Sequence, residues 1–288
     1  METEKNASKE HDMDAYVRML SLADILREPV MLSTIRMLRL LPGSRGLDVG
    51  CGAGQHTLWL AEAVAPAGHV TGLDLSPELL VHARELTNKS RFSEHVSFQD
   101  GDMNKLPFDD NTFDWVWSAD TIWIGPKGCS AGDSLPVIKE LTRVVKPGGC
   151  VAILFWSSQK LLPGFPLLEA RLNTTSPAIA PFTRGMKPNF HFLCSRGWLR
   201  DAYLDNLVGH TFVTSVQAPL SDDVRGALTA LFQSFWGNAQ SEVTPGDWAE
   251  FERLCQPESP DFILNLPDYS AFLTYSLFHG RVVKNKND

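Results

Sequence analysis

Three glycines, Gly50, Gly52 and Gly54, follow the short run Gly46-Leu47-Asp48-Val49 and precede an amphipathic segment from Gln55 to Val64. Glycine lacks Cβ, so a chain at such positions turns sharply and lets a ligand approach its backbone. A helix that starts there points its free N–H groups and positive dipole end into the turn. Strand, glycine turn and helix form the ligand-cradling first unit of a doubly wound α/β domain. The spacing is G-x-G-x-G, not the dinucleotide pattern G-x-G-x-x-G. Asp74 closes a second apolar run, Val70-Thr71-Gly72-Leu73, where an acid can accept hydrogen bonds from ribose hydroxyls. A third run, Val96-Ser97-Phe98-Gln99, ends in Asp100-Gly101-Asp102-Met103. An acid followed by a large apolar side chain suits the exocyclic amine and the face of an adenine.

Those elements continue in Leu106-Pro107-Phe108-Asp109-Asp110-Asn111-Thr112-Phe113-Asp114, a turn leading into a strand Phe113 to Ser118. Val144-Val145-Lys146-Pro147-Gly148-Gly149 then closes a helix and opens a strand from Cys150 to Trp156. Four blocks in order, LDVGCGAG, GLDLS, GDMNKLPFDDNTFD and RVVKPGG, resemble the class I S-adenosylmethionine-dependent methyltransferases, in the branch of ubiquinone/menaquinone-biosynthesis and related small-molecule enzymes. The resemblance covers Arg45 to Trp156. It implies S-adenosylmethionine as cofactor, with Asp48, Gly50, Cys51, Gly52 and Gly54 around its methionine part. Cys51 would serve there by small size, not by its thiol. By the same resemblance Asp74 binds the ribose, Leu75 flanks the adenine, Asp102 with Met103 holds the ring, and Ser118 and Ala119 lie beside the sulfonium.

Composition narrows the function from outside. A charged share of 21% and a hydrophobic share of 43% are those of an ordinary globular protein. A formal net charge of -8, without a run of basic residues, argues against a nucleic-acid partner. Five scattered cysteines, with no C-x-x-C pair, read as reduced thiols of a cytoplasmic protein and not as disulfides or a metal site. Met1 to Asp12 shows no apolar core of a signal peptide, and no stretch reaches membrane-spanning length.

The expected fold is α/β: a Rossmann-like, seven-stranded doubly wound sheet with N-terminal helices and a helical insertion between the last two strands. Residues 1–11 are expected to lack structure, and Met13–Leu26 and Val30–Leu41 to form two helices broken at Pro29. Residues 1–42 then make an N-terminal helical lid, 43–220 with 266–288 the methyltransferase domain, and 221–265 a helical cap over the active site or an interface, a homodimer being one arrangement. Lys160 to Pro188 reads as a loop with short helices, Ser195–Leu207 as an amphipathic helix, Thr211–Gln217 as the sixth strand, and Ala271–Val283 as the seventh.

Methyl transfer from a sulfonium asks mainly for an in-line nucleophile in a dry pocket. A base is required only when the acceptor keeps its proton at neutral pH. Candidate bases are His191, in Asn189-Phe190-His191-Phe192, and Asp120, just past the fourth strand. Tyr16, His56, Trp123 and Trp156 are candidates for the acceptor side. Each has a plainer alternative: packing on Leu20 for Tyr16, solvent for His56, core for Trp156. Met31 and Met37 read as helix-packing residues, and the Trp/Phe cluster of the insertion as core. The acceptor is expected to be a small apolar or ring-bearing molecule, methylated on oxygen first, on carbon or nitrogen next. A nicotinamide-dependent oxidoreductase and a non-catalytic binder of the same adenosine ligand are the competing readings.

Overall fold

The computed structural model describes residues 2–122, 134–175 and 188–283, with side chains from residue 13 onward. Seven strands form a single sheet in the order β3-β2-β1-β4-β5-β7-β6. They are β1 (Arg45–Val49), β2 (His69–Asp74), β3 (Val96–Asp100), β4 (Phe113–Ala119), β5 (Val145–Lys160), β6 (Leu204–Gln217) and β7 (Ser270–Val282). The first five run parallel, and β7 pairs antiparallel with both β5 and β6. Helices α1 (Glu2–Leu38), α2 (Gln55–Val64), α3 (Pro77–Asn88), α4 (Leu135–Arg143), α5 (Pro166–Leu172), α6 (Ser195–Asp201), α7 (Asp222–Trp236) and α8 (Pro245–Cys255) cover it. The expected α/β architecture and strand count are thus observed, and α7 and α8 fill the connection between the last two strands.

Apolar side chains on both faces explain why the central strands sit inside. Leu47 and Val49 of β1, Val116 of β4 and Val151 and Ile153 of β5 are completely buried on the face covered by α4 and α6. Trp115, Trp117, Ala152 and Leu154 point to the other face, under α1, α2, α7 and α8. Such two-sided burial is the signature of parallel strands. Alternation along β7 sends Ala271, Leu273, Tyr275 and Leu277 into the α1 side while Phe272 stays exposed.

Several sequence expectations fail locally. Helix α1 is continuous from Glu2 through Pro29, although proline removes one rung of hydrogen bonding and costs about 3 kcal/mol in a helix interior. Leu26, Val30, Met31, Ile35 and Leu38 flank the proline and are all buried, so packing holds the helix through it. The same helix takes in the segment expected to lack structure. Met31 packs in the core as expected, but Met37 is 37% exposed. The helix expected from Ser195 stops at Asp201: Tyr203 and Asn206 adopt φ of +64° and +50°, and Leu204 already starts β6. Finally, β5 begins at Val145, which pairs with Phe113, so Lys146 to Gly149 belongs to the strand across a register shift.

The aromatic residues of the insertion are core. Trp236 is completely buried, stacks on Phe232 with ring centres 5.9 Å apart, meets Phe251 edge-on, and donates from Nε1 to Asn173. Trp236→Ala is expected to lower unfolding free energy by about 3–5 kcal/mol, and Phe272→Ala by under about 0.5 kcal/mol. Urea unfolding midpoints of the two variants check this.

Candidate functional site

The turn after β1 is tied to the end of β2. The N–H groups of Gly50 and Cys51 both donate to the carbonyl of Leu73, at 2.7 and 3.0 Å. Asp74, the last residue of β2, receives the N–H of Gly52 on Oδ2 at 2.9 Å and that of Ser76 on Oδ1 at 3.0 Å. Gly52 and Gly54 have φ of +53° and +89°, in the left-handed region that favours glycine. Their reasons differ. A Cβ on Gly54 would lie 2.9 Å from the Ala83 Cβ of α3, so this glycine lets α3 close on the turn. A Cβ on Gly52 would meet only a methyl of Leu20, at 3.7 Å, so this position is open on its ligand side.

A cleft of about 310 Å³ lies over this turn. The turn residues Gly50 to His56 form its floor, with Asp74 and Leu79 on one side and Ala119, Asp120 and Thr121 on the other. Helix α1 roofs it with Tyr16, Leu20, Asp24 and Arg27, whose spacing of four, four and three residues keeps them on one helical face. Asp24 and Arg27 were not singled out in the sequence, although their i, i+3 spacing is that of an ion pair on one face.

Beyond that face is a network of charges. Arg27 donates from Nε to Asp24 Oδ1 at 2.7 Å and places a second nitrogen 3.6 Å from Asp120 Oδ2. Asp120 accepts the N–H of Trp156 at 2.7 Å and the hydroxyl of Tyr275 at 3.0 Å, with its own backbone at φ +51°. Burial pushes the Asp120 carboxyl up, against the pull of Arg27, the Trp156 N–H and Tyr275. Burial acts on Asp24 as well, but His56 and Arg27 outweigh it and hold that carboxyl below the usual range. His56 Nε2 is 3.4 Å from Asp24 Oδ1, while its ring stacks on Trp59 at 5.3 Å and meets Trp117 edge-on at 6.5 Å.

Behind the turn, Asp48 is buried and accepts the Thr57 hydroxyl at 2.7 Å. Burial raises its carboxyl to about 6, opposed by His56 and the Thr57 hydrogen bond. The Cys51 thiol is pushed up by burial and then by Asp48 and Asp74, so it stays protonated, in keeping with a role set by size.

The structure therefore gathers Gly50, Cys51, Gly52, Gly54, Asp74, Ala119, Tyr16, His56 and Asp120 around one cleft. Ser118 is buried and donates to the Val49 carbonyl at 2.9 Å, stapling β4 to β1. Leu75 is exposed beyond the end of β2, Asp102 accepts from the backbone and side chain of Asn104, and Met103 is half-buried against the core cluster under α4 and α6. Trp156 is turned from the cleft, between Tyr275 and Phe235, with Nε1 on Gln159. His191 does not line it either: it starts a short 3-10 turn, its Nδ1 receives the Leu193 N–H, and its ring rests on Phe192. Trp123 lies outside the described residues. Among the described residues, none of 221–265 lines the cleft, and no group of His, Cys, Asp or Glu could hold a metal.

Comparison with known proteins agrees with this geometry. Residues 47–149 match a family model described as a methyltransferase domain. Over 132 residues the chain is 43% identical to a demethylmenaquinone methyltransferase of Bacillus cytotoxicus, covering 46% of this chain and 52% of that protein. The chain spans between 52% and 63% of the length of the curated relatives it matches first. In fold it is similar to the YcgJ protein of Bacillus subtilis, with a TM-score of 0.53 at 17% identity over 88% of this chain and 99% of that one.

The elevated Asp48 carboxyl has a consequence for stability. The folded protein binds this proton more tightly than the unfolded chain, whose aspartates titrate near 3.9. Its contribution is present in full below about pH 4 and is lost as pH rises through 6, a change of about 3 kcal/mol. Asp48→Asn removes that dependence, so the variant is expected to gain on the parent between pH 4 and pH 7. Urea unfolding at pH 4.5 and 7.5 measures it.

Proposed function

We propose that the chain, whose residues 47–149 match a methyltransferase-domain model, is a class I S-adenosylmethionine-dependent enzyme that methylates a small ring-bearing acceptor of the hydroquinol class. The observation that carries this reading is the open glycine turn with Asp74 at its shoulder, under one face of α1. The residues fit the cofactor. Gly52 presents its backbone to the cleft without a side chain, and Asp74 keeps acceptor capacity toward ribose hydroxyls, since each oxygen has accepted a single N–H. The aspartates Asp24, Asp74 and Asp120 outnumber Arg27 among the cleft's charged groups, so the site favours a cation.

When bound, S-adenosylmethionine supplies a methyl group already activated on a cationic sulfur. The chain's own residues then orient and enclose. Tyr16 and Leu20 of α1 stand over the turn. The Tyr16 hydroxyl, its titration raised by burial and by the charge of Asp74, stays protonated and serves as a neutral donor. Asp120 is held in place from three sides. The hydroquinol class is supported by the name of the menaquinone-pathway relative and by the aromatic wall of Trp59 and Trp117 behind His56. We also assign the enzyme to the cytoplasm, in keeping with free thiols at Cys51, Cys150, Cys194 and Cys255 and with no helix among the described residues long and apolar enough to cross a membrane. Nucleic acid is not expected as a substrate at net charge -8.

Incubation with methyl-labelled S-adenosylmethionine and reduced 1,4-naphthohydroquinones is expected to give a labelled quinol, identified by mass spectrometry. Label on amine or carboxylate acceptors alone would overturn the acceptor class. Two variants test the cofactor site by calorimetry. Asp74→Asn, which loses a charged acceptor, is expected to weaken S-adenosylmethionine about 10- to 100-fold. Gly52→Ala, which places a methyl in the cleft, is expected to weaken it at least about tenfold while the protein stays folded. Normal affinity in either variant removes that residue from the site.

A further inference from the structure

We propose that Asp24 of α1 binds the ammonium group of the cofactor's methionine part, in place of Asp48 behind the glycine turn. The inference rests on the S-adenosylmethionine reading of the cleft and is independent of the acceptor class.

The cofactor carries two cations, the sulfonium and the ammonium of its amino acid. An ammonium brings three donors and no acceptor, so it calls for an ionised carboxylate with an oxygen to spare. Most aspartates near the turn have none. Asp74 closes the turn through both of its oxygens and stands at the ribose end. Asp120 takes the Trp156 N–H on Oδ1 and the Tyr275 hydroxyl on Oδ2, with Arg27 beside it. Burial pushes its carboxyl up, which disfavours the charged form. Asp48 is 1% exposed, does not line the cleft, and accepts the Thr57 hydroxyl on Oδ2.

Asp24 differs on each count. It lines the cleft. Its Oδ1 receives Arg27 Nε and is the oxygen that faces His56 Nε2. Its Oδ2 accepts no hydrogen bond among the described residues and stays open to solvent. Burial opposes its charge, but His56 and Arg27 prevail and hold the carboxyl below its usual range, so it is ionised at neutral pH. A half-spent carboxylate in a partly desolvated site gains most from a cation that brings its own donors.

The order of residues along α1 puts this oxygen at the amino-acid end of the ligand. Tyr16 feels the charge of Asp74, and Leu20 stands over Gly52. Asp24 then faces His56 at the first turn of α2, and Arg27 faces Asp120. The helix thus crosses the cleft from the end of β2 to the end of β4. Asp24 lies about 12 Å along it from Tyr16. With the ribose at Asp74, the amino acid falls under these later turns, where Asp24 is the acid with a free oxygen.

The test is titration calorimetry on the full chain with two ligands. S-adenosylhomocysteine carries the ammonium without the sulfonium, and its deamino analogue has hydrogen in place of the ammonium. The parent protein is expected to bind S-adenosylhomocysteine about 10- to 100-fold more tightly than the analogue. Asp24→Asn is expected to bind S-adenosylhomocysteine about 10- to 100-fold more weakly than the parent does, and the analogue within about threefold of the parent. Parent-like affinity for the analogue also shows that α1 keeps its seat in the variant. Asp24→Ser is prepared alongside in case asparagine unsettles the helix. Asp48→Asn is expected to keep the parent's affinity for S-adenosylhomocysteine within about threefold.

A parent protein that binds the two ligands equally overturns the inference without any variant. So does an Asp24→Asn protein that still prefers the ammonium, or one that weakens both ligands alike, because the residue then acts through the seat of α1. Loss of the preference in Asp48→Asn alone returns the ammonium to the buried acid. If the parent binds neither S-adenosylmethionine nor S-adenosylhomocysteine, the cofactor reading falls and this inference with it; tight binding of both with an indifferent Asp24 overturns the inference alone.

Discussion

The placement of α1 depends on one buried cation. Arg27 sits between Asp24 on its own helix and Asp120 at the end of β4, and Asp120 is held by the backbone of β5 and by Tyr275 of β7. Buried ion pairs seldom repay their desolvation, so this network is weak as a source of stability. Its effect is positional. Removing a single partner would leave an uncompensated charge, at a cost of about 3–5 kcal/mol, so the helix has one strongly favoured seat on the sheet. That seat fixes which face of α1 looks into the cleft, and hence where Tyr16, Leu20 and Asp24 stand over the glycine turn.

Asp74 imposes a second constraint. Its carboxylate closes the turn through the N–H groups of Gly52 and Ser76, and the same oxygens face the cleft. Structure and binding therefore share one side chain. An alanine there would orphan two backbone donors, each worth about 1–3 kcal/mol, before any ligand contact was lost. Asparagine keeps an acceptor in place and separates the two effects.

Much of the sheet was legible because its signals are local. Apolar runs ending in Gly50, Asp74 and Asp100 mark strand ends, and all three fall at the same edge of the parallel sheet. The turn residues were legible for the same reason: glycine at positive φ leaves a trace in composition. The errors arose where tertiary packing overrides a local rule. Pro29 reads as a break, yet Leu26, Val30 and Met31 bury enough surface to carry the helix through it. Leu199, Leu204 and Leu207 suit a helical period, but the positive φ of Tyr203 and Asn206 has no sequence mark as strong as glycine. Asp24 and Arg27 stayed hidden because their partners, His56, Asp120 and Tyr275, are distant in sequence and meet only once the sheet is assembled. Trp156 and His191 were read from position along the chain. The ring contact that turns Trp156 from the cleft, with Phe235, comes from an element whose packing no local pattern encodes.

The insertion illustrates how one covering element can serve another. α7 packs on α1, and Phe232, Trp236 and Phe251 extend the core beneath them. None of residues 221–265 lines the cleft among those described, so the insertion acts on the site through α1. A single long helix resting only on the sheet edge would present its cleft face loosely. Backed by a second aromatic layer and pinned by Arg27, the same face becomes a rigid roof. Rigidity there matters for the proposed chemistry, because a displacement of about 1 Å between nucleophile and methyl group costs on the order of 10²-fold in rate.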